Sequence, residues 1–189
     1  MQAVLPPNLT LVPPALALTR GFVDAPRAAA TSGAPTAHDA SHELRQAFRC
    51  GPLRLMVRYE DGSELTEMPP VYKLPNTPEW FLGIANLHGL LVPVFDLARF
   101  AGVQAPEPQQ AYLLVLSHGD DSAGVVIEGL PRRLRILPHE HTGTDAAPQG
   151  LAPYLRGGAL TAGELWLDLD RAALLDAFER ALDDTLPGA

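Results

Sequence analysis

The sequence predicts an all-β domain that ends in one α-helix. Its 189 residues include 19 prolines and 16 glycines, and these residues interrupt the chain too often for long helices over most of its length. Between them lie about eight to ten short runs rich in β-branched and aliphatic residues, without the regular alternation of strand and helix that builds a parallel sheet. We therefore expect a β-barrel or β-sandwich.

The composition excludes several classes of protein. Fourteen Lys and Arg against 22 Asp and Glu leave a net charge of −8, which opposes binding to nucleic acid. The single cysteine, Cys50, rules out an intrachain disulfide and a Cys-based zinc cluster, and it fits a reducing compartment. Prolines interrupt the uncharged N-terminal run, and no basic residue precedes Arg20. We expect neither a secretory signal nor direct membrane insertion, and hence a cytoplasmic protein.

The first 40 residues differ in composition from the remainder. They hold six prolines, ten alanines and only four charged residues, without a helical or strand period. The sequence therefore predicts a flexible Pro/Ala-rich arm over residues 1–40 and one folded domain over residues 41–189.

The first half of this domain reads as strands joined by tight turns. Gly51-Pro52 separates two strands, the second of which spans Leu53–Tyr59 and ends at the Asp61-Gly62 turn. Four prolines leave Val71–Leu74 as at most an edge strand. Residues 81–97 predict a buried hairpin that turns near Asn86–Gly89, and Asp96 is expected to cap a short helical turn that follows.

The second half continues the same pattern and ends in a helix. Residues 111–117 and 123–130 predict a hairpin. In the strand that follows, the alternation puts Arg133 and Arg135 on one face, with Leu134 and Ile136 on the other. A loop over residues 137–150 leads into two more short strands, and the chain then enters the helix. The two strands are expected at Tyr154–Leu160 and Glu164–Leu169, and the helix at Arg171–Asp184. Leu175, Phe178 and Leu182 would lie on one face of this helix.

Residues 71–97 resemble the CheW-like domains, which are adaptor modules of bacterial chemosensory systems. The shared features are Pro75, Pro78, Trp80, Gly83, the Asn86-Leu87-His88-Gly89 corner, Pro93 and Asp96-Leu97. The apolar run before Glu128 also fits, and the resemblance covers roughly residues 44–175. The sequences of residues 74–78, LPNTP, and 92–97, VPVFDL, are most similar to those of the PilI-like subgroup, which is associated with type IV pili and twitching motility.

The resemblance implies a pair of packed five-stranded β-barrels of SH3-like type and a role without catalysis, cofactor or metal. It also implies two partners, namely the regulatory domain of a CheA-type histidine kinase and the cytoplasmic tip of a methyl-accepting chemoreceptor. Asn86, His88 and Gly89 are the expected contact residues. Arg133 and Arg135 are a second candidate patch, for an acidic surface, against the alternative of a merely solvated strand face.

His88 departs from the family pattern, which usually has arginine at this position. Histidine is mostly neutral at pH 7 and offers a single donor, whereas arginine is always charged and offers five. An alternative hypothesis follows, in which the protein is a divergent orphan CheW-like binding module that has lost receptor coupling through His88 and serves another regulator.

Two histidine pairs raise a third hypothesis, a metal-dependent hydrolase. His38 and His42 are four residues apart, and His139 and His141 flank Glu140. Both pairs occur in loop-like sequence without an indicated third ligand, and we expect them to be surface residues. Motifs for a nucleophilic serine or a phosphate loop are absent from the sequence. Cys50 is expected to be an inert buried side chain.

Overall fold

The computed structural model describes residues 43–185. These residues contain twelve β-strands, two α-helices and three short 3₁₀ helices. The first six strands are β1 Glu43–Cys50, β2 Leu53–Arg58, β3 Gly62–Glu67, β4 Val71–Tyr72, β5 Phe81–Leu87 and β6 Leu90–Phe95. After helix α1, Leu97–Phe100, come β7 Ala111–Leu116, β8 Ala123–Glu128, β9 Arg132–Ile136, β10 His141–Thr142, β11 Leu155–Thr161, β12 Glu164–Leu169 and helix α2, Arg171–Asp183. The predicted arm, residues 1–40, and the His38 and His42 pair lie outside the described residues.

The strands form two sheets of similar construction. Sheet A has the order β10-β11-β12-β2-β1-β9, and sheet B has the order β3-β7-β8-β6-β5-β4. Each sheet thus has five strands of five or more residues and one two-residue strand at an edge. Each also contains one parallel pair, β12 with β2 and β6 with β8, among otherwise antiparallel neighbours. The predicted mostly-β fold with a C-terminal helix is confirmed.

One strand was not expected. The sequence predicts a turn at Asp61-Gly62 and no strand directly after it, but β3 begins at Gly62 and pairs with β7. Its sequence, GSELTE, has Leu65 as its single apolar residue. Edge strands often carry polar residues because one side of the ladder faces water, so hydrophobic alternation does not reveal them. The loop predicted over residues 137–150 likewise contains the short strand β10.

A central apolar cluster joins the two sheets. It contains Leu55 and Val57 of sheet A, Phe95 and Val125 of sheet B, and Phe178 of α2, all of them buried. Two smaller clusters lie on the other faces of the sheets. They consist of Ala85, Leu87, Val92, Val94, Leu113 and Val115 in sheet B, and of Ala47, Met56, Ile136, Ala159 and Trp166 in sheet A. Strands such as β2 are therefore covered on both faces, which explains their nearly continuous apolar sequence.

Gly83 allows β4 and β5 to pair closely. Its φ is +133°, a conformation that L side chains rarely adopt. A Cβ built at this position would lie 2.2 Å from the carbonyl oxygen of Tyr72. The β5 register shifts between Phe81 and Gly83, so the glycine marks a β-bulge at which another backbone approaches.

Helix α2 begins at a charged cap. The Asp170 side chain accepts a hydrogen bond from Ala173 N at 3.2 Å, and the Arg156 guanidinium donates to both of its oxygens, each at 3.2 Å. Burial alone would raise the pKa of Asp170, but these donors outweigh it and the pKa is lowered. The helix dipole acts in the same direction.

We expect Asp170→Ala to lower the free energy of unfolding by about 1 kcal/mol at pH 7, the usual loss for an N-cap. Because the folded-state pKa is lowered, the contribution of the carboxylate is complete above its unfolded pKa of about 4 and disappears as the pH falls below it. Urea unfolding of both proteins from pH 7 down to pH 3 measures this. Asp176→Ala, at an exposed acidic residue of the same helix, is the control, and an equal loss for this variant would contradict the assignment.

Candidate partner-binding surface

The predicted corner is the two-residue turn of the β5–β6 hairpin. Leu87 pairs with Leu90, and the two residues between them have positive φ angles, +53° at His88 and +91° at Gly89. This pattern defines a type I′ turn, whose twist matches that of the strands. Asn86 Oδ1 accepts a hydrogen bond from Gly89 N at 2.8 Å, so the oxygen of this side chain is engaged in holding the turn.

His88 lies at the tip of this turn. Its side chain is 85% exposed, and Nε2 lies 3.2 Å from Oε1 of Glu64 on β3. Such an exposed pair contributes little to stability. A partner can therefore displace Glu64 from His88, or bind both residues, at small cost to the fold.

An apolar surface strip, which was not predicted from the sequence, adjoins the turn. Tyr72, Ile84 and Pro93 are paired across β4, β5 and β6, and Leu91 pairs with Asn86 on the same face. Tyr72 and Leu91 are 68% and 66% exposed. The sequence gives no signal for it, because residues 90–94 are apolar throughout, and only the structure separates the buried Val92 and Val94 from Leu91 and Pro93. We call Tyr72, Ile84, Leu91 and Pro93 the apolar strip.

The second predicted patch lies on β9, an edge strand of sheet A. Arg133 and Arg135 are exposed, while Leu134 and Ile136 pack in the apolar cluster of sheet A. The predicted alternation of this strand is confirmed. The Arg133 guanidinium lies over the Tyr59 ring at 4.8 Å, and Nη2 donates to Tyr59 Oη at 3.1 Å.

Residues 59–64 contact both predicted groups; residues 59–61 link β2 of sheet A to β3 of sheet B, and residues 62–64 begin β3. Tyr59 at one end contacts Arg133, and Glu64 at the other contacts His88. The buried Asp61 anchors this link. Its carboxylate lies 3.2 Å from Arg171 Nε, and its carbonyl oxygen accepts from Ser117 N at 3.0 Å. The sequence offered only one signal for this arrangement, the Asp61-Gly62 turn.

The remaining candidate residues have structural surroundings. Asp96 caps α1 by accepting from Arg99 N at 3.0 Å, as predicted. Cys50 is buried, its thiol donates to Val126 O at 3.3 Å, and burial raises its pKa. Glu140 accepts a hydrogen bond from Leu137 N, which lowers its pKa. Its neighbours His139 and His141 are exposed.

Among residues 43–185, no three His, Cys, Asp or Glu side chains are grouped closely enough to hold a metal ion. The His139 and His141 pair therefore has no third ligand within the described part of the chain. In the same residues, no helix is long and apolar enough to cross a membrane.

The family model of the CheW-like domain matches residues 47–179 of the chain. The matched segment contains the hairpin turn, the apolar strip and β9. Its limits agree with those of the resemblance found in the sequence.

Three curated relatives illustrate the similarity. The chain is 28% identical to "Protein PilI" of Pseudomonas aeruginosa over 107 residues, which are 56% of this chain and 57% of that protein. It is 32% identical to "Chemotaxis protein CheW" of Klebsiella aerogenes over 127 residues, 65% of this chain and 75% of the relative. It is 35% identical to "Protein FrzA" of Myxococcus xanthus over 82 residues, 43% of this chain and 51% of that protein. The matches thus span about half to three quarters of the relatives' own lengths.

A solved structure shares the fold. The scaffolding protein TtCheW from Thermoanaerobacter tengcongensis superposes with a TM-score of 0.59 at 19% identity, and the match covers 67% of this chain and 88% of the other.

Proposed function

The chain belongs to the CheW-like domain family, and on that premise we propose that it is a non-catalytic adaptor that couples a CheA-type histidine kinase to a methyl-accepting chemoreceptor. The family match over residues 47–179 carries this proposal. The chain is similar both to a relative named as a chemotaxis protein and to a relative named PilI. This similarity supports a role in a chemosensory pathway that controls flagellar or type IV pilus motility.

An adaptor needs separate surfaces for its two partners, and two groups of candidate residues suit this requirement. The first combines the turn residues Asn86, His88 and Gly89 with the neighbouring apolar strip. We assign it to the receptor tip, because an exposed aliphatic and aromatic surface beside polar groups suits a helical partner. The second contains Arg133 and Arg135 and suits an acidic surface.

The proposed mechanism is positional. An adaptor that holds kinase and receptor at the same time raises the effective concentration of each for the other. Residues 59–64 contact both groups, which supports a fixed spacing between the two partners.

The proposal is tested by calorimetric titration of the full chain against the regulatory domain of each CheA-type kinase in the same organism. We expect saturable binding to at least one kinase. The His88→Arg variant is titrated in parallel against a soluble receptor tip, the partner assigned to the turn, because arginine would hold a carboxylate or carbonyl group through several donors. If the chain binds no kinase, the coupling role is rejected.

His88 supports a second candidate function, a divergent adaptor that serves a different regulator. Histidine replaces the arginine that the family usually has at this turn, and its side chain is almost fully exposed. Receptor-tip binding that is gained only on His88→Arg would favour this alternative and would locate the divergence at the turn.

Leu91→Ser is expected to weaken binding of a soluble receptor tip about tenfold, the loss of roughly 1.4 kcal/mol that a contact leucine can contribute. Unfolding in urea should change little, since the side chain is already exposed to water. Leu160→Ser is the control, because Leu160 is 55% exposed on sheet A, outside the apolar strip. An equal loss for both variants, or no loss for Leu91→Ser, would remove the apolar strip from the proposal.

A further inference from the structure

Asp61 is a buried carboxylate between the two candidate partner groups, and the adaptor role does not itself require it. Its side chain is only 9% exposed. It lies in the middle of residues 59–64, whose two ends contact the two groups. Whatever holds this segment in place therefore also positions both contacts.

Two positive charges surround the Asp61 side chain. Oδ1 lies 3.2 Å from Arg171 Nε at the start of α2, and Oδ2 lies 4.0 Å from Arg156 Nη1 on β11. Oδ2 accepts no hydrogen bond from the described residues, so this oxygen is held by charge. The two guanidinium groups are 31% and 28% exposed, and water screens these attractions only in part. A neutral side chain of the same shape would lose them.

The backbone of Asp61 connects the two sheets at the same point. Its N–H donates to Arg58 O at 3.0 Å, at the end of β2 in sheet A. Its carbonyl oxygen accepts from Ser117 N at 3.0 Å, directly after β7 in sheet B. Together with the ion pairs, these bonds tie one residue to both sheets and to α2.

Strand β3, which contains Glu64, has a weak apolar anchor of its own. Leu65 is its single apolar residue and is 38% exposed. The register with β7 shifts between Gly62 and Glu64, so the ladder is irregular where the strand begins. Little apolar burial and an irregular ladder are typical of segments that open locally. The beginning of β3 therefore depends on the contacts of Asp61.

We propose that Asp61 is a positioning residue for both candidate partner groups. At one end of the segment, its charge keeps Glu64 beside His88. At the other end, it keeps Tyr59 beside Arg133. Because one residue holds the middle of the segment, loss of its charge loosens both contacts together. The inference rests on the proposed function only for what the two groups bind.

Hydrogen exchange of the full chain, followed by mass spectrometry, tests the positioning role without any partner. We expect peptides that cover residues 59–67 to exchange about tenfold faster in Asp61→Asn than in the wild type. Asp168→Asn is the matched control, because it neutralises a similarly buried carboxylate of sheet A that contacts neither group. The control should leave the exchange of residues 59–67 unchanged.

Titration with the kinase regulatory domain and with a soluble receptor tip gives the second measurement. Asp61→Asn should weaken both interactions about fivefold, at the lower end of couplings between sites, and Asp168→Asn should weaken neither. Arg171→Gln, which removes the nearer guanidinium, replaces Asp61→Asn if circular dichroism shows that Asp61→Asn does not fold.

Three results would overturn the positioning role of Asp61. They are unchanged exchange of residues 59–67, equal acceleration in Asp168→Asn, and loss of affinity for only one of the two partners. If the wild type binds neither partner, the coupling role fails, whereas the exchange measurement still decides whether Asp61 holds the segment.

Discussion

Phe178→Ala is expected to lower the free energy of unfolding by about 3–5 kcal/mol, the usual cost of truncating a fully buried phenylalanine. The Phe178 ring is stacked on Phe95, with 4.0 Å between centroids, and meets Phe100 edge to face at 4.8 Å. It also lies 6.0 Å from Trp80. Helix α2 thus completes the aromatic part of the central cluster, and an alanine would leave a cavity between rings that β6, α1 and the residue before β5 contribute.

Urea unfolding measures this loss. Because both sheets contribute to the central cluster, we expect one cooperative transition whose midpoint falls while its slope is unchanged. Glu179→Ala, at the exposed next residue of the helix, is the control and should change stability by less than about 0.5 kcal/mol. Two separate transitions in Phe178→Ala would indicate that α2 alone holds the sheets together. A loss below about 1 kcal/mol would show that the helix contributes little to the core.

The sequence predicts the core strands well because hydrophobic pattern and turn chemistry agree there. Around β5 and β6, the buried face alternates with the apolar strip, and the turn between them has a glycine where φ must be positive. The cap of α2 is likewise local, since Asp170 and Ala173 are three residues apart. Such features depend on neighbours in sequence, so a single sequence reveals them.

The candidate site is harder to predict because it depends on contacts between distant residues. Strand β3 is polar, and only its pairing with β7 makes it a strand. The contacts of Glu64 with His88 and of Tyr59 with Arg133 span 24 and 74 residues. The burial of Trp166 depends on how β12 lies between β2 and β11. Neither the hydrophobic periodicity of a sequence nor the secondary-structure propensities of its residues contain information on contacts between distant residues.

A second large effect is expected at the ion pair between Arg45 of β1 and Asp168 of β12. Asp168 Oδ2 accepts from Arg45 Nε at 3.2 Å and from Nη2 at 3.0 Å. The side chains are only 12% and 10% exposed. Burial alone would lower the pKa of Arg45, but the hydrogen bond and the charge of Asp168 outweigh it and the pKa is raised. The guanidinium therefore stays charged inside the sheet and needs its partner.

Asp168→Ala is expected to lower the free energy of unfolding by about 3 kcal/mol, since it leaves a largely buried guanidinium with the more exposed Glu43 as its remaining carboxylate partner. The double variant Arg45→Met with Asp168→Leu should recover most of this loss, because well-packed apolar residues can replace a buried pair. Urea unfolding of the wild type, both single variants and the double variant gives the coupling energy. If Asp168→Ala costs less than about 1 kcal/mol, Glu43 and water are sufficient partners for Arg45, and the pair does not hold β1 to β12 across β2.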